Sequence, residues 1–364
     1  MNSDEPIFTP LPLGSVKANG WLADQLPVTD SEKQELPGGL PCITKIDPQS
    51  VMDLMRELDA GAGPVTGTFA AEEDRPDAGA AQKKGLRGIA RNIDSLGKLL
   101  SVRGDPAVGD RLERVVYNAL PAASAEADPM MRAIWAYFAA RLWMRTTDNG
   151  LAALSYAPSR IETEISGVRV AISLDTGYPF RDMLNFNVMV DSTLRFPLVL
   201  RIPCWAGKAS IFVEGEAPRR AQAGTFLRID REWSSETRVN LSLPMAVRIE
   251  PRPNQTISVL RGPLVFGLAK PLPSSVPLLS VAQGKDAPTV ATELRERPLE
   301  GNVFTQQAAP VSLVVKAKRA QNHDSPDGFA AKTPKLMEAD EDAVFLVPYG
   351  CAGERMAEDR KSVV

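Results

Sequence analysis

The apolar positions change period near residue 150. Before that point they recur every three or four residues, the spacing of a helix face. Val51, Leu54, Met55 and Leu58 predict a helix over residues 51–58. Ile89, Ile93, Leu96 and Leu100 predict a better one over 86–100. Arg103-Gly104 breaks that run. Asp105 can cap the next helix, over 107–120, with Pro106 at its first position. Trp135, Phe138, Leu142 and Trp143 place a further helix over 130–144, and Gly20-Trp21 with Leu22 and Leu26 starts a short one.

After the turn signal Asp148-Asn149-Gly150 the period becomes two. Val168, Val170, Ile172 and Leu174 form one alternating set, and Leu184, Phe186, Val188 and Val190 the next. Phe196, Leu198, Leu200 and Ile202 follow, then Ile211 and Val213, Leu227 and Ile229, Val239, Leu241 and Leu243, and Val247 and Ile249. Each set lines one face of a half-buried strand. Gly207, Gly215, Gly224 and Pro244 fall between sets, where turns belong. Short strands with no helices between them predict an antiparallel β-sandwich. Residues 27–49 read as a linker, 75–85 as a loop, and 271–310 as an irregular Pro-rich segment. Strands are expected at 311–315 and 343–349, a loop at 317–342, and a frayed tail at the end. The fold class is therefore α+β. A helical region over 1–150 precedes a sandwich over 151–270, and a Pro-rich segment with a C-terminal β region covers 271–364.

Composition narrows the partners. The 364 residues carry 42 basic and 45 acidic side chains, a formal net charge of −3, with no basic tract to attract nucleic acid. No apolar run is long enough for a membrane span. The start, MNSDEPIF, lacks the features of a secretory signal. The three cysteines, Cys42, Cys204 and Cys351, are far apart, which argues against a disulfide framework or a cysteine-rich zinc site and suits a cytoplasmic setting. Cys204 is expected to be buried at a strand end. His323 lies alone in a polar stretch and supports neither a His-based metal site nor a triad. Trp205 and Trp233 are candidate platforms for sugar rings. Monomer and homo-oligomer both remain open.

Several phrases carry a family resemblance. FPLVLRIPCWA (196–206), REWSSETRVNLSLPMAVRIE (231–250) and LRGPLVFGLA (260–269) resemble, in that order, the C-terminal β region of the β-L-arabinofuranosidase-like glycoside hydrolases, family 127. PLPLGSVKANGWLADQL (10–26), SLGKLLSVRGDPAVGDRLERVVYNALPAA (95–123), the stretch 147–180 and FLVPYGCA (345–352) are similar to other parts of that family. The resemblance implies an (α/α)6 helical barrel, here shortened to a remnant, followed by jelly-roll-like sandwich domains. It implies carbohydrate as partner, specifically arabinose-containing glycans. It also implies a cysteine-thiolate nucleophile held beside zinc by further cysteines and a glutamate, with a separate glutamate as acid/base. Glu73, after the Thr66-Gly67 turn and between Glu72 and Asp74, stands at the acid/base position. Gly85 and Arg87 fall where the family's Glu-x-Cys motif would be, and residues 126–132 (EADPMMR) hold none of its adjacent cysteines. No cofactor is therefore expected, although the family carries zinc. The expected function is a glycoside hydrolase by ancestry that is inactive. The alternatives are a non-catalytic carbohydrate-binding or structural sandwich protein, and a degenerate reading frame.

Overall fold

A computed structural model describes residues 6–26, 66–68, 81–123, 129–251, 257–269, 276–279, 281–283, 288–290, 292–320 and 342–352. The helix expected at 51–58, the linker at 27–49, Cys42, His323 and the tail lie outside the described residues. The chain is mixed α+β and mostly sheet.

The described helices include α1 (Gly20–Ala23), α2 (Ala81–Arg103), α3 (Pro106–Arg114) and α4 (Pro129–Ala139). The stripe Leu86, Ile89, Ile93, Leu96 and Leu100 buries one face of α2. Gly104 ends that helix at φ +59, where its N–H reaches Leu100 O at 2.9 Å, and a side chain at 104 would collide with Ile7. Asp105 then caps α3 by accepting from Ala107 N at 2.9 Å, with Pro106 next in line, as the sequence predicts. From α3 the chain runs on through a wide π-type turn, Val115–Ala119, into Leu120–Ala122. The expected helix at 130–144 stops at Ala139. Trp143 begins a strand instead, Trp143–Thr146, because its partner is Leu151–Ala153 across a tight turn. In that turn Asn149 adopts φ +63 and Thr146 Oγ1 accepts from Gly150 N.

Three large sheets follow. The first runs Phe8–Pro10, Trp143–Thr146, Leu151–Ala153, Leu194–Ile202, Thr225–Trp233. One of its pairings departs from the antiparallel expectation: Leu151–Ala153 lies parallel to Leu198–Leu200. The second runs Arg219–Arg220, Ser210–Val213, Glu236–Ser242, Met183–Val190, Val168–Thr176, Ser159–Ile165, Val16–Ala18. The first two sheets share one core, with Trp143 of the first edge-on to Phe186 of the second at 5.9 Å. The second sheet alternates buried and exposed residues as the period of two requires. The strand Leu194–Ile202 does not, being buried on both faces from Phe196 onward. Its far side is covered by helix α3, where Gly109 approaches Arg201.

The third sheet runs Val247–Pro251, Ile257–Arg261, Leu264–Leu268, Asp342–Pro348, Val311–Ala320, Val276–Leu279, with Thr292–Glu296 also paired to Val311–Ala320. The Pro-rich stretch is thus less irregular than its composition suggests. Its strands are short, and their prolines sit where a missing donor is tolerated: Pro277 in the edge strand Val276–Leu279 and Pro288 at the first position of Pro288–Val290. The third sheet is pinned to the helices by Asn118, which is fully buried. Its Nδ2 donates to Pro263 O at 2.9 Å, and its Oδ1 accepts from Val265 N at 2.8 Å.

Removing the α3 cap tests this local reading. Asp105→Ala should cost about 1 kcal/mol, and Gly104→Ala more, because it adds strain at positive φ to a clash with Ile7. Urea denaturation of the two variants orders them. A Gly104→Ala variant as stable as the native protein would contradict the described packing.

Candidate functional site

The densest polar constellation lies where α3 meets the first sheet. Asp110 and Glu113 are three apart on α3 and so share a face. Between them sits Arg201, which projects from near the end of the apolar strand Leu194–Ile202 and has no exposed side-chain surface. Arg201 Nη2 is 2.6 Å from Glu113 Oε1, Nη1 donates to Asp110 Oδ1, and Nε donates to Leu154 O at 2.6 Å. Asp110 also accepts from the backbone N of Cys204 at 2.7 Å. Tyr178 O–H donates to Glu113 Oε2, Tyr156 N donates to Glu113 Oε1 at 3.0 Å, Tyr156 O–H donates to Arg201 O, and Tyr117 O–H donates to Tyr156 O. Both carboxylates and the guanidinium are therefore held by several bonds each. A buried charge requires this if its desolvation is to be offset.

Burial raises the Glu113 carboxyl above its ordinary range, against the lowering effect of Arg201 and of the Tyr178 hydroxyl. The Tyr178 and Tyr156 phenols are raised by burial, Tyr178 further by the Glu113 charge. No group in the cluster faces open solvent except Asp110, which is 19% exposed. The geometry binds helix to sheet and leaves no room for a substrate.

The predicted site residues fall elsewhere. Glu73 lies outside the described residues. The Thr66-Gly67 turn that precedes it packs on α3, with Arg111 Nε donating to Gly67 O at 2.8 Å. Trp233 is a core residue, 1% exposed, stacked on Phe196 at 5.4 Å and donating from Nε1 to Phe196 O at 2.8 Å. Its ring is closed to a sugar. Trp205 is half-buried, with the Arg248 guanidinium 5.9 Å from its ring and its Nε1 buried without a partner. Cys204, expected to be buried, is exposed in the turn after Ile202. Its sulfur nevertheless lies over Gly224. Partial burial, then the Asp110 charge, pushes the thiol up to about 12, the reverse of an activated nucleophile. Cys351 is buried and its thiol is raised by that burial.

The zinc implied by the resemblance does not fit the residues present. Gly85 and Arg87 are both exposed on α2, and open space surrounds Gly85. A guanidinium cannot ligate a cation, and glycine offers no side chain. Among the described residues no three His, Cys, Asp or Glu side chains gather as a metal site. Among them, too, no helix is long and apolar enough to cross a membrane.

Residues 150–245 match the family model for the middle domain of GH127 β-L-arabinofuranosidases. The wider chain is similar in fold to a GH127 β-L-arabinofuranosidase from Geobacillus stearothermophilus T6, with a TM-score of 0.62 and 19% identity over 84% of this chain and 55% of that one. A second solved structure, a glycoside hydrolase, gives 0.65 and 18% over 84% of this chain and 60% of that one. A third, a GH127 β-arabinofuranosidase, gives 0.59 and 16% over 80% and 51%. The chain thus spans between half and two thirds of the length of the structures it matches. No curated protein matches its sequence. The matched stretch contributes Arg201 and Tyr178 to the junction, while Asp110 and Glu113 come from the helices before it.

Sequence reasoning missed Arg201 and its partners. The available signal was a charged residue inside the run FPLVLRIP, which demands a buried counter-charge, but nothing in the pattern names Glu113 as that partner. Arg201→Met should cost about 3–5 kcal/mol, because it leaves Glu113 buried and uncompensated. Without Arg201 the folded-state pKa of Glu113 rises further above its unfolded value. The neutral carboxyl is then tolerated at low pH, and stability is lost as pH rises through the folded pKa. The deficit of Arg201→Met relative to the native protein should therefore shrink from pH 7 toward pH 4.5. Urea titrations at both values measure it, and an equal deficit at each would exclude Glu113 as the group exposed by the change.

Proposed function

We propose that this chain has the scaffold of a β-L-arabinofuranosidase-type glycoside hydrolase, directed at arabinose-containing glycans, and that it is catalytically inactive. The helices before residue 150 are, on this reading, the remnant of a helical barrel, and the sheets after it are jelly-roll-like sandwich domains. The observation that carries the loss of activity is the exposed Gly85 and Arg87 pair on α2, where the resemblance asks for a ligand and a nucleophile. Glu73 stands as the surviving acid/base. An acid without a nucleophile or an activated water does not complete the two-carboxylate or the thiolate route. A second reading, glycan recognition without turnover, is favoured by Trp205, whose partly exposed ring offers an apolar face at the surface.

The purified protein should release no aglycone from an aryl β-L-arabinofuranoside and should hold no stoichiometric zinc after dialysis. Elemental analysis and a colorimetric assay decide both points. One zinc per chain, lost on chelation together with measurable hydrolysis, would overturn the inactive reading. Hydrolysis that survives chelation but is lost in Glu73→Gln would replace it with a metal-independent enzyme.

A further inference from the structure

The outward face of the second sheet carries residues that strands disfavour. Across four neighbouring strands the cross-strand partners run Phe212, Asn240, Asn185 and Asp175. Asn187 stands beside Asn185 on the same face, two positions along Met183–Val190. Asn and Asp are depleted in strands, where β-branched and aromatic residues pack better on the pleat. Four of them side by side lower the sheet's own stability, and a local rule broken in this way marks a site under another demand. The amides are also held in place. Asn240 Nδ2 donates to Asn185 Oδ1 at 2.7 Å, and Asn187 Nδ2 donates to Glu236 Oε1 at 2.8 Å. Asn187 Oδ1 is buried and has no partner. Phe212, 37% exposed, closes one end of the row, and Met183, 41% exposed, flanks it.

Planar amides offer donors and acceptors in fixed directions, and a carboxylate adds an acceptor at the far end. Beside them, an exposed aromatic ring gives an apolar face. This set complements a neutral polyhydroxylated chain, whose hydroxyls pair with amides and whose C–H faces rest on a ring. The row itself holds no Lys or Arg, and the cation beside it on this face, Arg238 across from Asn187, is flanked by Glu236, so with Asp175 these neighbours carry no net positive charge to draw a phosphate. With strands 4.7–4.9 Å apart, four side chains span about 14 Å, the scale of a short oligosaccharide rather than of a single sugar.

We infer that the Phe212–Asn240–Asn185–Asp175 row binds a neutral oligosaccharide along the sheet, at a surface separate from Trp205. The inference rests on the reading that the chain recognises arabinose-containing glycans. Isothermal titration of the intact chain with short linear arabino-oligosaccharides tests it, with cello-oligosaccharides as the comparison. The native protein should bind the former. Asn185→Thr/Asn240→Thr should weaken binding at least about tenfold while leaving the melting temperature equal or higher, because threonine suits an exposed strand. Phe212→Thr should weaken binding likewise. Unchanged affinity in the Asn185→Thr/Asn240→Thr protein would overturn the inference. If Trp205→Ala alone then abolished binding, glycan recognition would stand but at Trp205. Absence of binding by the native protein to every arabino-oligosaccharide at millimolar concentration would overturn both the inference and the glycan-recognition reading. Preference for the cello-series would keep the surface and replace the sugar.

Discussion

A guanidinium with no contact to water governs how the helical and sheet parts of this chain meet. Arg201 gives up its hydration, and the loss is offset only because α3 brings Asp110 and Glu113 to it together. Those two carboxylates share a face only while residues 110–113 are helical. The helix in turn can approach only because residue 109 is glycine, since a Cβ there would lie 2.6 Å from Arg201 Cδ. The Tyr178 hydroxyl completes the arrangement by donating to Glu113, while those of Tyr156 and Tyr117 donate to backbone carbonyls beside it. Charge, helix register and close approach are thus a single condition. A change that satisfies two of the three still leaves a charge buried alone.

Much of the architecture was legible because periodicity reports which face is wet. The second sheet keeps one face in solvent, so its alternation is visible in the residues. The stripe of α2 and the cap of α3 are visible for the same local reasons. The strand Leu194–Ile202 is covered on both sides, and there alternation carries no information about the outer face. Trp143 looked helical because a single apolar residue fits either period, and its pairing with Ala153 is a tertiary fact. The two tryptophans show the same limit. Trp233 and Trp205 look equivalent as residues, yet one ends an alternating strand on its inward side and the other sits in a turn. Pairings over long separations, such as Asn118 with the Pro263–Val265 turn, leave no trace in local pattern.

The family match covers only 150–245, but the structural likeness extends over more than four fifths of the chain. The matched stretch ends just after the last strand of the second sheet, and the third sheet lies beyond it although it too is built of strands. Packed cores accept many combinations of similar volume, so fold outlasts identity. Gly85 and Arg87 suit an exposed helix surface without difficulty, so the packing places no constraint on their identity.

The short strands Phe8–Pro10 and Val16–Ala18 join different sheets, although only five residues separate them. Each closes an edge with a partner roughly 140 residues further on, a separation that slows folding through the entropy of closing the loop. A chain emerging from the ribosome therefore makes its first segment early and can place it only after Ser159–Ile165 has appeared. Until Phe8–Pro10 and Val16–Ala18 dock, both sheets present an open edge, Trp143–Thr146 in one and Ser159–Ile165 in the other. The same few residues that finish the native sandwich thus decide how long its edges stay available to a wrong partner.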